Sequence, residues 1–350
     1  MDNSVPKTKP RTQTIGGTSV QADEVWSSTQ WRQLEAHFCE AARKSPDEAL
    51  ARRETARFGR RVLRSYSSSF YVVTRFLPRS KRADVEMVYA AVRYPDEIVD
   101  TFDLSIGEKQ RLLDEWLTAY ERSLSINDIA SAVESGIPVA IAGFADVVHR
   151  KEIPHDYYAD FINAMCQDIS PRKFKNWNDL IDNYVYGSAT VVGYFLAHIY
   201  GVADGRSLDE SLQGARSLAI ALQLTNFARD VADDAARSRC YLPVDQTDGN
   251  GEPLAHRVLA GDASAMVATK RSFATEAAVW YERSLRCITA FHPDSKVAIE
   301  SCQRLYSTLN TKILRSESPF GRESLSLWHK LAVLPRSKFW RLPAAMVLER

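Results

Sequence analysis

Cysteine is scarce and unpatterned in this chain. Its five residues, Cys39, Cys166, Cys240, Cys287 and Cys302, show no metal-ligand spacing and cannot all pair. That excludes a disulfide-stapled scaffold and a thiolate zinc site, and it points to a reducing, cytoplasmic compartment. A secretory leader is missing as well, since Met1-Asp2-Asn3-Ser4 is followed by no apolar stretch. No apolar run reaches the ~20 residues that a membrane-spanning helix needs. The longest, from Ala189 to Ala203, is interrupted by Gly193, His198 and Gly201. No Gly-x-Gly-x-x-Gly opens a dinucleotide-binding turn. Charge of one sign is absent too. Lys plus Arg total 45 against 44 for Asp plus Glu, a net of +1, which gives no reason to expect nucleic acid as a partner.

What is present is helical periodicity in a chain of 350 residues that is 45% hydrophobic. Phe58, Val62, Leu63 and Tyr66 recur at helical spacing, as do Val85, Val88, Tyr89 and Val92. Period-2 runs bounded by turn dipeptides are scarce, so strands have little support. Breakers at Pro78, Pro95, Gly136-Ile137-Pro138, Pro154, Pro171, Gly201 to Gly205, Pro243 to Pro253, Pro293 and Pro319 divide the chain into roughly ten to twelve helices. Residues 1–24, rich in Thr, Ser, Pro, Gly and Lys, read as a disordered tail. Residues 25–350 read as one all-α domain.

Two acidic clusters stand out. Asp96 and Asp100 are four apart, so on a helix both carboxylates point the same way, and like charges at that spacing destabilise the helix unless something neutralises them. Pro95 beside them opens or kinks that helix. Asn226, Asp230 and Asp234 follow at i, i+4 and i+8, lining one face over about 12 Å. Leu222, Leu224 and Phe227 around them argue for burial, and buried acids need partners or a metal. Oxygen-only donors on two helices suit Mg²⁺ rather than Zn²⁺, and Mg²⁺ is commonly shared between carboxylates and substrate phosphates. Arg93 and Arg229 stand beside the clusters, and Arg237 and Arg239 follow the second; guanidinium groups clamp phosphate oxygens. The basic run from Arg79 to Arg82 reads as a solvated turn.

The segment from Gln223 to Pro243, QLTNFARDVADDAARSRCYLP, closely resembles the second acidic signature of the squalene/phytoene synthase family. Tyr89 to Asp100 resembles the first signature. Tyr66-Ser67-Ser68-Ser69-Phe70 with Leu77-Pro78 resembles the family's early Ser-Lys-Ser-Phe stretch, and Tyr184 to Gly193 its mid-chain tyrosine and small-residue motif. Tyr306, Arg322 and Lys330 fall where the family has a tyrosine and a late Arg/Lys pair. The similarity runs from about Ser65 to Leu331. Three departures are visible: Ser68 replaces a frequent lysine, Asp96-Glu97 replaces Asp-Asp, and Ala189-Thr190 replaces Ala-Gly.

The resemblance implies a single isoprenoid-synthase helical bundle around a central cavity. It implies a prenyltransferase that joins two prenyl diphosphates head to head through a cyclopropylcarbinyl diphosphate. The form of the mid-chain motif leans towards bacterial phytoene-type enzymes, which use geranylgeranyl diphosphate. Farnesyl diphosphate, giving squalene, hydroxysqualene or dehydrosqualene, is the alternative within the family, and a non-catalytic partner protein of the same fold is the alternative outside it. By resemblance, Asp96, Asp100, Asn226, Asp230 and Asp234 bind Mg²⁺, with Mn²⁺ as the substitute ion, and act in catalysis with Tyr186. Ser69, Phe70, Arg93, Arg229, Tyr306, Arg322 and Lys330 contact substrate. NADPH is expected only for a squalene-type reaction. Because the product is a lipid, peripheral membrane contact is compatible, with residues 339–342 (Phe-Trp-Arg-Leu) the candidate stretch, although packing in the fold is the favoured reading of that stretch. The sequence leaves oligomeric state open.

Overall fold

The computed structural model describes residues 26–326 together with 329, 330 and 332. The expected tail, residues 1–24, and the stretch 339–342 lie outside them. The described residues form fourteen α-helices, one π-helical segment and one short 3₁₀ turn, with two isolated bridges and no strand. In chain order these are α1 (Ser28–Arg43), α2 (Glu48–Tyr66), α3 (Ser68–Thr74), α4 (Arg79–Asp100), α5 (Ile106–Ser123), α6 (Ile129–Glu134) and α7 (Val139–Arg150). There follow α8 (Asp156–Ile169), α9 (Trp177–Leu180), the π segment (Ile181–Thr190), α10 (Val191–Tyr200) and α11 (Leu208–Ala236). Last come α12 (Leu254–Leu259), α13 (Ala263–Cys287) and α14 (Pro293–Leu314). The excess over ten to twelve comes from pieces such as α6, α9 and α12, which are too short to show a period.

Local chemistry fixes the ends. Ser27 with Gln30, Ser105 with Glu108, and Ser207 with Glu210 form reciprocal capping boxes at the starts of α1, α5 and α11. Gly201, at φ 72°, ends α10 in a conformation that other residues resist. Most of the buried apolar side chains form a single cluster running from Trp26 to Ile313. Within it α4 packs against α2, α7, α8 and α10, while α11 packs against α10, α13, α14 and the π segment. No helix among the described residues is long and apolar enough to cross a membrane.

Pro95 lies inside α4, and the helix continues through it to Asp100. A proline there has no N–H to give the carbonyl of Ala91, four residues back. Tyr158 of α8 takes its place: the phenol donates to Ala91 O at 2.7 Å and accepts from Trp116 Nε1 at 2.7 Å. The carbonyl is therefore satisfied, and α4 keeps the turn that carries Asp96 and Asp100.

The basic run from Arg79 to Arg82, expected as a solvated turn, forms the first turn of α4 and is only partly solvated. Arg82 is buried and donates to the carbonyls of Arg75 and Leu77 at 3.2 and 3.1 Å. Arg75, also buried, pairs with the buried Glu86. Lys81 reaches Asp294 at 2.6 Å and the Tyr200 carbonyl at 2.7 Å. These cations fasten the link between α3 and α4 to its surroundings.

Candidate active site

A cavity of about 970 Å³ opens between α4 and α11. The last turn of α4 presents Asp96 and Asp100 to it, and α11 presents Asn226, Asp230 and Asp234 from the facing wall. Val88, Leu196, Leu218, Phe291, Ile299 and Leu309 are among the side chains that make the rest of its wall apolar. The site thus joins a charged region to a pocket for hydrocarbon, the division a prenyl diphosphate has in its own structure.

Each carboxylate has a different electrostatic setting. Asp96 receives Arg93 Nη1 at 2.7 Å. Burial nonetheless pushes its pKa above the usual carboxylate range, because the Arg93 charge only partly offsets desolvation and Asp100 adds repulsion. Asp100 is held by Arg239 at 2.5 Å, with Arg237 at 3.7 Å. Asp230 accepts from Arg229 Nη2 at 2.6 Å and from Arg322 Nε at 2.7 Å. Burial opposes its charge, but the two guanidinium groups win and hold its pKa below the usual range. Four residues on, Asp234 has burial and the charges of Asp230 and Asp100 acting together, and it is pushed up to about 7.

The donors fit a hard divalent cation: all are oxygens, and Asp96 and Asp234 carry charge that the protein leaves under-compensated. No three described His, Cys, Asp or Glu residues close up into a metal cage. An ion that completes its shell with phosphate oxygens and water fits better than one held by protein alone.

Every site residue expected from the sequence lines this cavity except Tyr186. Phe70 and Tyr306 pack against each other on its wall, ring centres 5.4 Å apart. Lys330 donates to Ser68 Oγ at 3.2 Å, so an ammonium stands against the serine that replaces the family's lysine. Glu97 turns away from the cavity: it is fully buried beneath Arg93, which pairs with it, so the Asp-to-Glu departure changes the support of Arg93 rather than the cavity wall.

Tyr186 is the correction. Its hydroxyl hydrogen-bonds Asp160 of α8, away from the cavity. Tyr184 is the residue on the wall. Two positions apart on a helix, the pair cannot face the same way. Gly187 beside them is explained by packing, since a Cβ there would come within 2.6 Å of the Asp160 carbonyl.

The sequence reading did not find Asp168 and Tyr241. Asp168 is 9% exposed and accepts from Tyr184 Oη at 2.7 Å and Tyr241 Oη at 2.9 Å. Tyr241 stacks on Phe227 at 4.4 Å between ring centres. A signal for Asp168 existed: Phe161, Met165 and Asp168 share one face of α8, and a charged residue on an otherwise apolar stripe demands a reason.

Comparison with known proteins places the chain in a family. A family profile described as squalene/phytoene synthase matches residues 63–333. A 15-cis-phytoene synthase from Pantoea ananas is 27% identical over 273 residues, covering 77% of this chain and 86% of that protein. A presqualene diphosphate synthase from Zymomonas mobilis is 33% identical over 190 residues, covering 54% of this chain and 60% of that protein. The crystal structure of a squalene synthase from Alicyclobacillus acidocaldarius superposes with a TM-score of 0.63 at 22% identity, covering 79% of this chain and 98% of the other.

Proposed function

The chain belongs to the squalene/phytoene synthase family and is a prenyltransferase; from that premise we propose that it condenses two geranylgeranyl diphosphates head to head, through a cyclopropylcarbinyl diphosphate, to phytoene. The observation that carries this reading is a cavity with acids and guanidinium groups on facing helices and apolar walls elsewhere. The phytoene synthase relative, similar over most of both chains, supports the C20 substrate.

In this reading Asp96 and Asp100 on one wall, and Asn226, Asp230 and Asp234 on the other, would hold Mg²⁺ at the diphosphate end of the cavity. When bound, Mg²⁺ neutralises charge on the departing diphosphate. Arg93, Arg229, Arg322 and Lys330 bind diphosphate oxygens, and guanidinium groups suit that task because their fork matches phosphate geometry. Ser69 adds a hydroxyl at the same end. Arg322 and Arg229 sit on Asp230 before substrate arrives, so both are already placed where negative charge gathers. The apolar walls keep water from the allylic cation. Phe70, Tyr306, Phe227 and Tyr184 offer ring faces to it, each contact worth up to about 2 kcal/mol when desolvated.

The presqualene diphosphate synthase relative favours a second reading, in which farnesyl diphosphate is the substrate and the cyclopropyl diphosphate is the product. NADPH enters only if a squalene-type reduction follows. One experiment separates these. The protein is incubated with Mg²⁺ and geranylgeranyl or farnesyl diphosphate, with and without NADPH, and the extract is identified by mass. Phytoene from the C20 substrate without NADPH is expected. A C30 product, or a stable cyclopropyl diphosphate, overturns the phytoene reading.

A further inference from the structure

Asp168 belongs to the cavity wall, where its two carboxylate oxygens take different phenols: Oδ2 accepts from Tyr184 at 2.7 Å and Oδ1 from Tyr241 at 2.9 Å. The two phenol oxygens are 3.5 Å apart. A phenol has one proton to donate. Both protons are committed to Asp168, so the oxygen lone pairs are what Tyr184 and Tyr241 have left for the cavity. Asp168 also borders a niche of about 10 Å³, close to the space one water needs, lined by Tyr184, Tyr241 and Arg239 as well as by Pro171 and Arg172. Pro171 and Arg172 are exposed, so this niche leads towards solvent.

We propose that Asp168 is the terminus of a proton relay, acting through Tyr184, that removes the proton lost when two prenyl units are joined. The proposal rests on the head-to-head reading above. In that reaction the C1–O bond of one substrate breaks and diphosphate leaves with the electron pair. The 2,3-double bond of the other attacks C1, leaving a cation at C3. The electrons of a C1–H bond then close the cyclopropane, and that proton must go to a base. The Tyr184 oxygen accepts it while the phenol's own proton passes to Asp168, which returns it to solvent through the niche. The sum is one C–C bond and one ring closed, one diphosphate released and one proton lost.

The surroundings suit the role. Burial pushes Asp168 up to about 7, against the two phenols and the Arg239 charge, which lower it. It is therefore ionised and ready above that pH, and nearly iso-energetic for receiving and releasing a proton near it. The charged groups that bear on it are Arg239, from the loop after α11, and Asp100, from α4. Asp168 acts through the tyrosine, which makes it a positioning residue with a proton to carry.

The test is the fate of the cation. If the proton is not removed, the new C–C bond of the C3 cation breaks again, and the allylic cation so regenerated takes up water and loses a proton to it, giving prenyl alcohol instead of condensed product. Asp168→Asn and Asp168→Glu are assayed with Mg²⁺ and geranylgeranyl or farnesyl diphosphate, scoring alcohol against condensed product per diphosphate released. Asp168→Asn is expected to raise the alcohol share about tenfold to a hundredfold while diphosphate release changes only a few-fold. Asp168→Glu restores most of the wild-type ratio. The wild-type ratio shifts towards alcohol as pH falls through about 7, and the Asn variant shows no such limb. If Asp168→Asn loses both outputs in proportion, or keeps the wild-type ratio at every pH, the relay is wrong and another group, such as the leaving diphosphate, takes the proton. If the wild-type protein itself forms no condensed product, the head-to-head reading falls and takes the relay with it.

Discussion

The two acidic walls of the cavity resemble each other in sequence and differ in physics. On α4, Asp96 and Asp100 draw their cations from Arg93 on the same helix and from Arg237 and Arg239 beyond the end of α11. On α11, Asp230 has Arg229 next to it and Arg322 from the C-terminal segment, whereas Asp234 has no comparable partner and titrates near 7. Equal spacing along a helix therefore does not make equal carboxylates. The long-range arginines decide which acid is held ionised and which is left with its charge under-compensated.

The sharpest way to break this comparison is to remove the paired acid. Asp230→Asn should lower Mg²⁺-dependent turnover at least a thousandfold, since metal-assisted and electrostatic stabilisation supply much of the rate in such sites. The circular dichroism spectrum should stay unchanged. Near-normal turnover would remove the second wall from the mechanism. Next in size are the arginines. A charged hydrogen bond is worth ~1.5–3 kcal/mol, so Arg322→Ala or Arg239→Ala should each cost roughly ten- to a hundredfold in kcat/KM. The effect of Arg322→Ala should fall mainly on substrate binding, read as a raised KM.

A pH effect should follow from Asp234. Its pKa is raised on folding, so the metal-free folded state holds this proton more tightly than the unfolded chain. The associated stability is fully present below the unfolded value near 3.9 and is lost as pH rises towards 7. Asp234→Asn should therefore stabilise the metal-free protein by ~1–3 kcal/mol at pH 8 and by little at pH 4, measured by urea unfolding. A stabilisation independent of pH would show that Asp234 is not the strained acid. The smallest effect belongs to one of the two motif tyrosines. Tyr186→Phe should change kcat less than about threefold, whereas Tyr184→Phe should change it more than tenfold. The reverse order would restore Tyr186 to the site.

The sequence made some of this legible and hid the rest for identifiable reasons. Helical periodicity exposed the long elements, and the i, i+4, i+8 spacing of Asn226, Asp230 and Asp234 exposed one wall. Pro95 looked like a helix boundary because the hydroxyl that replaces its missing hydrogen bond comes from Tyr158, 63 residues away. Tyr186 has the motif position, but residues two apart on a helix face opposite sides, and Tyr184 is the one on the cavity wall. Asp168 and Tyr241 meet only through the fold, 73 positions apart, so no local pattern joins them. The Ser68 departure could be noticed in the sequence, but the ammonium of Lys330 beside it comes from 262 residues away.

The central claim is that one cavity joins two prenyl diphosphates, and an isotope-mixing experiment tests it most directly. Equal amounts of unlabelled and fully deuterated prenyl diphosphate are turned over with Mg²⁺, and the product is weighed by mass spectrometry. A product of twice the prenyl length, with unlabelled, mixed and fully labelled species near 1:2:1, is the predicted result. Only single-length products, with no mixed species, would contradict it.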